Sequence, residues 1–266
     1  MIDFKVFYGL EYNPFEKGQK LLTVESLDYK EMLGRLNYLK DIRGIGLFTG
    51  SSGLGKTLTL KNFCDSLNPG LYQVIYLPLS TLTTNDFYRG LASGLGLEPR
   101  QRKIDNYKNI QDHIKKLATQ NRITPVIVLD EAQYLKTDTL NDLKLLLNFE
   151  FDSKNYAILI LAGLPNLVNT LNKSVHESLR QRVVVTYRLA GLDESEIKCY
   201  IEKKLLSAGC HNPLFTDSAL TALTNASTGS SRKLNHLVTQ ALILGANQNR
   251  QLVDHDIVMQ ASLEVI

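Results

Sequence analysis

The sequence has few of the features that mark a secreted or membrane-spanning protein. Its 266 residues include only three cysteines, and Cys64, Cys199 and Cys210 stand in no metal-ligand spacing. Because an odd number of scattered cysteines argues against a disulfide framework, we interpret them as small buried residues in a reducing compartment. No apolar run approaches the ~18 residues that cross a bilayer, and the first residues do not form a signal peptide. We therefore expect a soluble, cytoplasmic protein.

The chain also lacks a strong excess of charge. Thirty Lys and Arg residues stand against 27 Asp and Glu residues, which gives a formal net charge of +3. This balance neither requires nor excludes a nucleic acid as partner, because an electrostatic footprint depends on local clustering. No internal repeat or low-complexity linker interrupts the sequence. Its length suits one large domain or two modest ones.

Five apolar runs predict the strands of a parallel sheet. Each is continuous rather than alternating, which is typical of strands buried on both faces. Amphipathic helices are predicted between the runs, as in α/β proteins with helices on both faces of the sheet. The runs are Gly44 to Thr49, Gln73 to Leu79, Val126 to Leu129, Ala157 to Ala162 and Val183 to Tyr187.

The pattern changes after Leu192, where only helices are predicted. Acidic residues at 193–196 suit a helix N-terminus. Thr216 and Asp254 are typical N-cap residues of later helices. We predict an α/β core over residues 1–190, with a parallel five-stranded sheet between helices, followed by a small all-helical lid domain over residues 191–266.

A glycine-rich motif follows the first predicted strand. Its glycines let backbone amides turn toward a phosphate at a helix N-terminus. Lys56 would reach the β- and γ-phosphates, and the hydroxyl of Thr57 would help to hold Mg²⁺. An apolar strand before the motif and an amphipathic helix after it favour this interpretation over a chance glycine turn, so we expect ATP and Mg²⁺ as ligands. The candidate binding residues are Gly50, Ser51, Ser52, Gly53, Leu54, Gly55, Lys56 and Thr57.

Two acidic residues end the third predicted strand. Asp130 would bind Mg²⁺ directly or contact the direct ligands of the metal. Glu131 would act as the general base for an attacking water. Adjacent carboxylates at the end of a buried strand are costly without a partner. The alternative is a strand that simply ends in solvent. With the phosphate loop upstream, Glu131 favours hydrolysis over binding alone.

These segments together resemble the AAA+ ATPases. Within them, the chain resembles the branch that contains the secretion ATPase ExeA and the transposition ATPases TnsC and TniB. The resemblance extends over nearly the whole chain and includes residues 7–15, Ala132-Gln133, residues 145–150, 162–165 and 189–192. It implies a P-loop AAA+ core followed by the lid, and assembly of the chain with itself into an ATP-dependent ring or filament.

In that family the opening segment lies near the adenine base. The resemblance therefore makes Tyr8, Asn13 and Pro14 candidate base contacts. The alternative is that Phe4, Phe7, Tyr8 and Phe15 only tie the N-terminus onto the core.

The resemblance also points to an arginine finger. Residues 178–183 resemble the segment that places an arginine at the neighbouring subunit's nucleotide, where it stabilises charge on the γ-phosphate. Arg182 fits the family position better than Arg180, and we take Arg182 with Glu131 as the candidate catalytic residues. A solvated basic helix end is the alternative.

Two positions of the nucleotide site depart from the family pattern. Residues 229–232 resemble the Gly-x-Pro-Arg turn of the lid, in which the arginine, here Arg232, contacts nucleotide of the same chain; Ser231 replaces the proline. At the end of the fourth strand, Leu164 stands where a polar residue is expected and cannot orient a water. Either Asn166 takes that role or hydrolysis is slow.

The predicted function is an ATPase regulator that assembles on duplex DNA and recruits or activates a transposase. Candidate contacts to DNA phosphates are residues 100–103, the loop at 81–84 and Lys115-Lys116. For each of them an ordinary solvated face is the alternative. An accessory ATPase of protein secretion and a loader in DNA replication or repair stay open as other functions. A direct membrane partner is not expected.

Overall fold

A computed structural model describes residues 2–16, 24–78 and 83–264. The chain divides into two compact units. An α/β unit comprises Glu31–Ser51 and Lys56–Leu189, and a helical unit comprises Met1–Lys30, Ser52–Gly55 and Ala190–Ile266. The prediction placed residues 1–30 in the core domain. Of these, the described residues 2–16 and 24–30 group with the helical unit, whose apolar core includes Tyr8, Leu10 and Phe15.

The α/β unit contains the predicted five-stranded parallel sheet, with strand order β2-β3-β4-β1-β5. The central strands β1, β3 and β4 are buried along their whole length, as continuous apolar runs predict. The edge strands β2 and β5 are only partly buried. Leu79, predicted as the end of the second strand, lies outside the described residues. The strands are β1 Gly44–Thr49, β2 Tyr72–Pro78, β3 Thr124–Asp130, β4 Ile158–Gly163 and β5 Val183–Arg188.

Helices account for most of the remaining described residues. In chain order they are α1 Phe4–Tyr8, α2 Leu27–Ile42, α3 Lys56–Ser66, α4 Thr84–Gly94, α5 Lys103–Lys116, α6 Thr137–Leu146, α7 Asn166–Leu171, α8 Glu177–Arg180, α9 Glu194–Ser207, α10 Asp217–Ser227, α11 Ser231–Asn247 and α12 His255–Glu264. No helix in the part of the chain that the structure describes has the length and apolar character needed to span a bilayer.

Both faces of the sheet are covered within the α/β unit. On one face, side chains of α4, α5 and α6 form a single apolar cluster with alternate residues of the strands. On the other face Phe48 is fully buried, and a Cβ on Gly46 would lie 2.5 Å from Cδ2 of Leu39 in α2. Because all strands are parallel, the segments that follow β1, β3 and β4 lie together at the C-terminal ends of the strands, where ligand sites of such sheets form.

The N-terminal segment is held by the hydroxyl groups of two tyrosines. Tyr8 donates a hydrogen bond to the carbonyl of Arg250 (2.8 Å), and Tyr12 donates to the carbonyl of Ser207 (2.8 Å). These contacts lie inside the helical unit. The aromatic residues thus do tie down the N-terminus, although to the helical unit rather than to the sheet. Of the three free cysteines, Cys210 is buried as expected and the other two are half-buried.

Two glycines meet within the helical unit. A Cβ on Gly229 would lie 3.0 Å from Cα of Gly191, and both residues have positive φ angles, +76° and +104° respectively. Nearby, Oδ2 of Asp28 accepts the N–H groups of Ala190 (2.9 Å) and Gly191 (2.7 Å). This crossing therefore requires the absence of a side chain at both glycines.

We expect Gly229→Ala to destabilise the protein by about 1–2 kcal/mol, because an L-residue in left-handed backbone costs that much before any clash. Gly34→Ala is the matched control, since Gly34 lies within α2 and a Cβ there would meet nothing within 4 Å. Thermal unfolding measures both. An unchanged midpoint for Gly229→Ala would show that the crossing tolerates a side chain.

Candidate nucleotide-binding site

The phosphate loop connects β1 to α3. Gly53 and Gly55 have φ angles of +81° and +93°, which glycine adopts readily. Lys56, the first residue of α3, is 7% exposed, and its Nζ donates to the carbonyls of Gly50 (2.7 Å) and Ser51 (2.9 Å). The ammonium group is therefore folded back on the loop, where phosphate oxygens could replace the two carbonyls as acceptors.

Asp130 is the buried centre of the site in the α/β unit. It is 3% exposed. Its Oδ2 accepts the hydroxyls of Thr57 (2.8 Å) and Tyr76 (2.9 Å), and its Oδ1 accepts the N–H of Glu131 (2.9 Å). The structure thus brings together Thr57 and Asp130, the two predicted metal residues. A hydroxyl and a carboxylate at hydrogen-bonding distance are the hard oxygen donors that Mg²⁺ takes together with phosphates and water.

Tyr76 was not singled out by the sequence analysis. It lies in β2, and its hydroxyl reaches along the edge of the sheet to the last residue of β3. Burial, and after it the hydrogen bond to Asp130, raise the pKa of Tyr76 to about 12. The phenol therefore stays protonated at neutral pH and acts as the donor. A tyrosine near the end of the second predicted strand was the only signal available in the sequence.

Glu131 has an unusual backbone for a residue other than glycine. Its φ and ψ are 56° and 36°, in the left-handed region, a strained conformation of the kind that clusters at functional sites. The side chain is exposed, and its Oε2 accepts a hydrogen bond from Nε2 of Gln133 (2.6 Å). Sequence reasoning assigned no role to Gln133.

The predicted arginine finger lies at the N-terminal ends of the strands, opposite the phosphate loop. Arg182 directly precedes β5, whereas the phosphate loop follows the parallel neighbour β1. The length of a six-residue strand, about 20 Å, separates the two ends of the strands. Nη1 of Arg182 donates to the carbonyl of Lys144 (2.6 Å), and Arg180 is exposed on α8. Neither arginine is placed at the acidic residues of its own chain.

The tip of the phosphate loop belongs to the helical unit, in which the turn before α11 contacts it. Nη1 of Arg232 donates to Oγ of Ser52 (2.9 Å). Both the N–H (3.1 Å) and the hydroxyl (2.8 Å) of Ser231 donate to the carbonyl of Gly53. Proline has no N–H, so the serine at this position gives the loop two hydrogen bonds that a proline could not form.

The candidate base contacts are engaged within the helical unit. Tyr8 is 6% exposed, so most of its ring is enclosed. Oδ1 of Asn13 accepts the N–H of Phe15 (3.1 Å), and the carbonyl of Pro14 accepts Nζ of Lys204 (2.6 Å). Burial lowers the pKa of Lys204. The segment from Asn13 to Phe15 is therefore a fixed turn on α9.

The candidate DNA contacts are largely paired with acidic groups. Lys103 lies 2.5 Å from Asp142, and Lys115 lies 2.6 Å from Glu150. Arg100 lies 3.5 Å from a carboxylate as well. Of the candidate loop at residues 81–84, positions 81 and 82 lie outside the described residues. The basic stretch thus presents less uncompensated charge than its sequence suggests.

The chain is similar to known proteins in sequence and in fold. Residues 40–171 match the family model described as AAA domain. General secretion pathway protein A of Aeromonas hydrophila is 32% identical over 266 residues, which is 97% of this chain and 48% of that protein. The chain therefore spans about half the length of this curated relative.

Solved structures of other proteins share the fold. Cdc6p from Pyrobaculum aerophilum matches with a TM-score of 0.71 at 15% identity, over 95% of this chain and 70% of that chain. A chain of Drosophila ORC bound to DNA matches with a TM-score of 0.70 at 13% identity, over 97% of this chain and 64% of that chain.

The AAA-domain match, the relative and the shared fold support the AAA+ ATPase family, which is the family that the motifs resemble. They do not distinguish the narrower branch with TnsC and TniB, which stays a prediction.

Proposed function

We propose that this chain binds ATP with Mg²⁺ at the phosphate loop and hydrolyses it as a nucleotide-dependent assembly switch. The observation that carries the proposal is the 2.8 Å hydrogen bond between Thr57, just after the loop, and the buried carboxylate of Asp130. This contact supports a shared magnesium site at Thr57 and Asp130, with Glu131 next in the chain.

In the proposed reaction, water attacks the γ-phosphorus while the bond to the β-phosphate oxygen breaks, giving ADP and phosphate. Glu131 takes a proton from the water, and Lys56 with the amides of the loop neutralises charge on the phosphates. Mg²⁺, when bound, would supply positive charge that stabilises the phosphate groups. Thr57 and Asp130 would hold it.

Arg182 gives the proposal its assembly step. It lies at the N-terminal ends of the strands, and the loop lies at their C-terminal ends. Arg182 is therefore suited to a neighbouring subunit's nucleotide rather than to the nucleotide of its own chain. An arginine that completes a site in trans raises hydrolysis by orders of magnitude in other NTPases. Hydrolysis by a single chain should therefore be slow and should rise with assembly.

Two partner classes have specific support. The 32% identical relative, named for general secretion, supports an accessory ATPase of protein export. The fold shared with ORC bound to DNA supports assembly on duplex DNA, including a loader role. Recruitment of a transposase is a narrower version of the DNA hypothesis and rests on the motif resemblance alone. We favour the secretion-type role, because sequence identity is more specific evidence than fold.

Lys56→Ala should lose ATP binding at least tenfold, since the loop loses its cation. Glu131→Gln should bind ATP normally but turn it over about 100- to 10,000-fold more slowly, the usual range for a lost general base. Lys61→Ala, on an exposed position of the same helix, is the control. A fluorescent ATP analogue gives the affinity, and phosphate release gives the rate. Unchanged affinity of the first variant, or unchanged turnover of the second, contradicts the proposed site.

The assembly step predicts that the ATPase rate per subunit rises with protein concentration. Arg182→Ala should abolish this rise while leaving ATP affinity intact, and Arg180→Ala, two residues away, should keep it. A rate that is independent of concentration in the wild-type protein would exclude completion of the site by a neighbour.

The same assay separates the partner classes. If duplex DNA is the scaffold, adding it at low salt should raise the rate at protein concentrations that are too low for assembly alone. If the partner is a secretion component, DNA should have no effect on rate or sedimentation.

A further inference from the structure

The side-chain amide of Gln133 uses both of its ends. Nε2 donates to Oε2 of Glu131 (2.6 Å), and Oε1 accepts the backbone N–H of Leu164 (3.0 Å). A carboxylate can only accept and an N–H can only donate, so these partners fix the orientation of the amide. Gln133 follows β3 and Leu164 follows β4. The side chain therefore bridges the ends of two neighbouring strands.

The absence of a side chain at Gly163 leaves room for the amide of Gln133. A Cβ at Gly163 would lie 2.5 Å from Oε1 of Gln133, and so it would displace the amide. The carbonyl of Gly163 also accepts the N–H of Gly50, the first residue of the phosphate loop (3.2 Å). A continuous set of contacts thus runs from the start of the loop, through the end of β4 and the amide, to the carboxylate of Glu131.

We propose that Gln133 is a positioning residue for hydrolysis, which holds Glu131 in place and takes over the role of the polar side chain that is missing at Leu164. The proposal rests on the proposed role of Glu131 as general base. An exposed glutamate samples several rotamers, and a charge-assisted hydrogen bond from a fixed donor selects among them. The donor is fixed because its other end is bonded to the backbone of the sheet edge.

The bridge also explains how the site can function with leucine at position 164. The side chain of Leu164 offers no polar atom, but its backbone N–H anchors the amide that reaches Glu131. The polar group at this end of β4 is thus supplied from the segment after β3. Asn166, the residue expected to substitute, is exposed at the first residue of α7.

A merely structural role for Gln133 makes a different prediction. If the amide only fastened β3 to β4, its removal would lower thermal stability, and ATP affinity and turnover would change together. A positioning role predicts a loss of turnover with ATP affinity intact, because a small displacement of a reacting group costs about 10- to 100-fold in rate.

The test is a double-mutant cycle with Gln133→Ala, Gly163→Ala and the double variant. Each single variant should lower the single-turnover rate about 10- to 100-fold and leave the dissociation constant for ATP within about twofold. The double variant should be no slower than the slower single variant, because both changes remove the same amide. Losses that multiply would overturn the proposal, since independent sites are additive in free energy.

Three further variants complete the experiment. Gln133→Met keeps the length of the side chain without its amide and should be as slow as Gln133→Ala, which keeps the test valid if Gly163→Ala does not fold. Gly90→Ala is the glycine control, because a Cβ there would meet only Leu77, at 4.0 Å. Unchanged or faster turnover in both Gln133 variants would overturn the inference if Glu131→Gln is inactive. Normal turnover of Glu131→Gln would instead overturn the proposed function.

Discussion

The site depends on one buried charge, the carboxylate of Asp130. A buried carboxylate is costly unless donors surround it, and this one accepts hydrogen bonds from two hydroxyls and a backbone N–H. Hydrogen bonds to a charged group contribute about 1.5–3 kcal/mol each. Through them Asp130 links β3 to α3 by Thr57 and to β2 by Tyr76. The same contacts that satisfy the charge hold an oxygen site beside the phosphate loop.

Because the strands are parallel, the proposed catalytic groups are divided between the C-terminal and the N-terminal ends of the strands. The loop, Asp130 and the bridge from Gln133 lie at the C-terminal ends of β1, β3 and β4, whereas Arg182 precedes β5. In the proposed mechanism, one chain therefore supplies most of a hydrolytic site at the C-terminal ends of its strands, and its Arg182, at the opposite ends, serves another chain's site. This arrangement is what links the proposed hydrolysis to assembly, because each subunit would complete the site of a neighbour.

Local sequence was sufficient for β1, β3 and β4, since strands buried on both faces are continuous apolar runs. It was also sufficient to identify Lys56, Thr57 and Asp130 as candidates, because motif and context lie within a few residues of each other. Tyr76 and Gln133 could not be predicted in the same way. Their roles depend on strand pairing and on a backbone N–H of Leu164, which carry no sequence pattern. The grouping of residues 2–16 with the helical unit likewise depends on contacts with distant helices.

The affinity for ATP, with and without Mg²⁺, tests most directly whether Asp130 organises this site. Asp130→Asn keeps the shape of the side chain and removes its charge. The wild-type protein should bind ATP more tightly in Mg²⁺ than in excess EDTA. The variant should lose most of that gain and keep the affinity measured in EDTA. An equal gain from Mg²⁺ in both proteins would contradict the account, because the metal would then be held without the carboxylate around which the site is built.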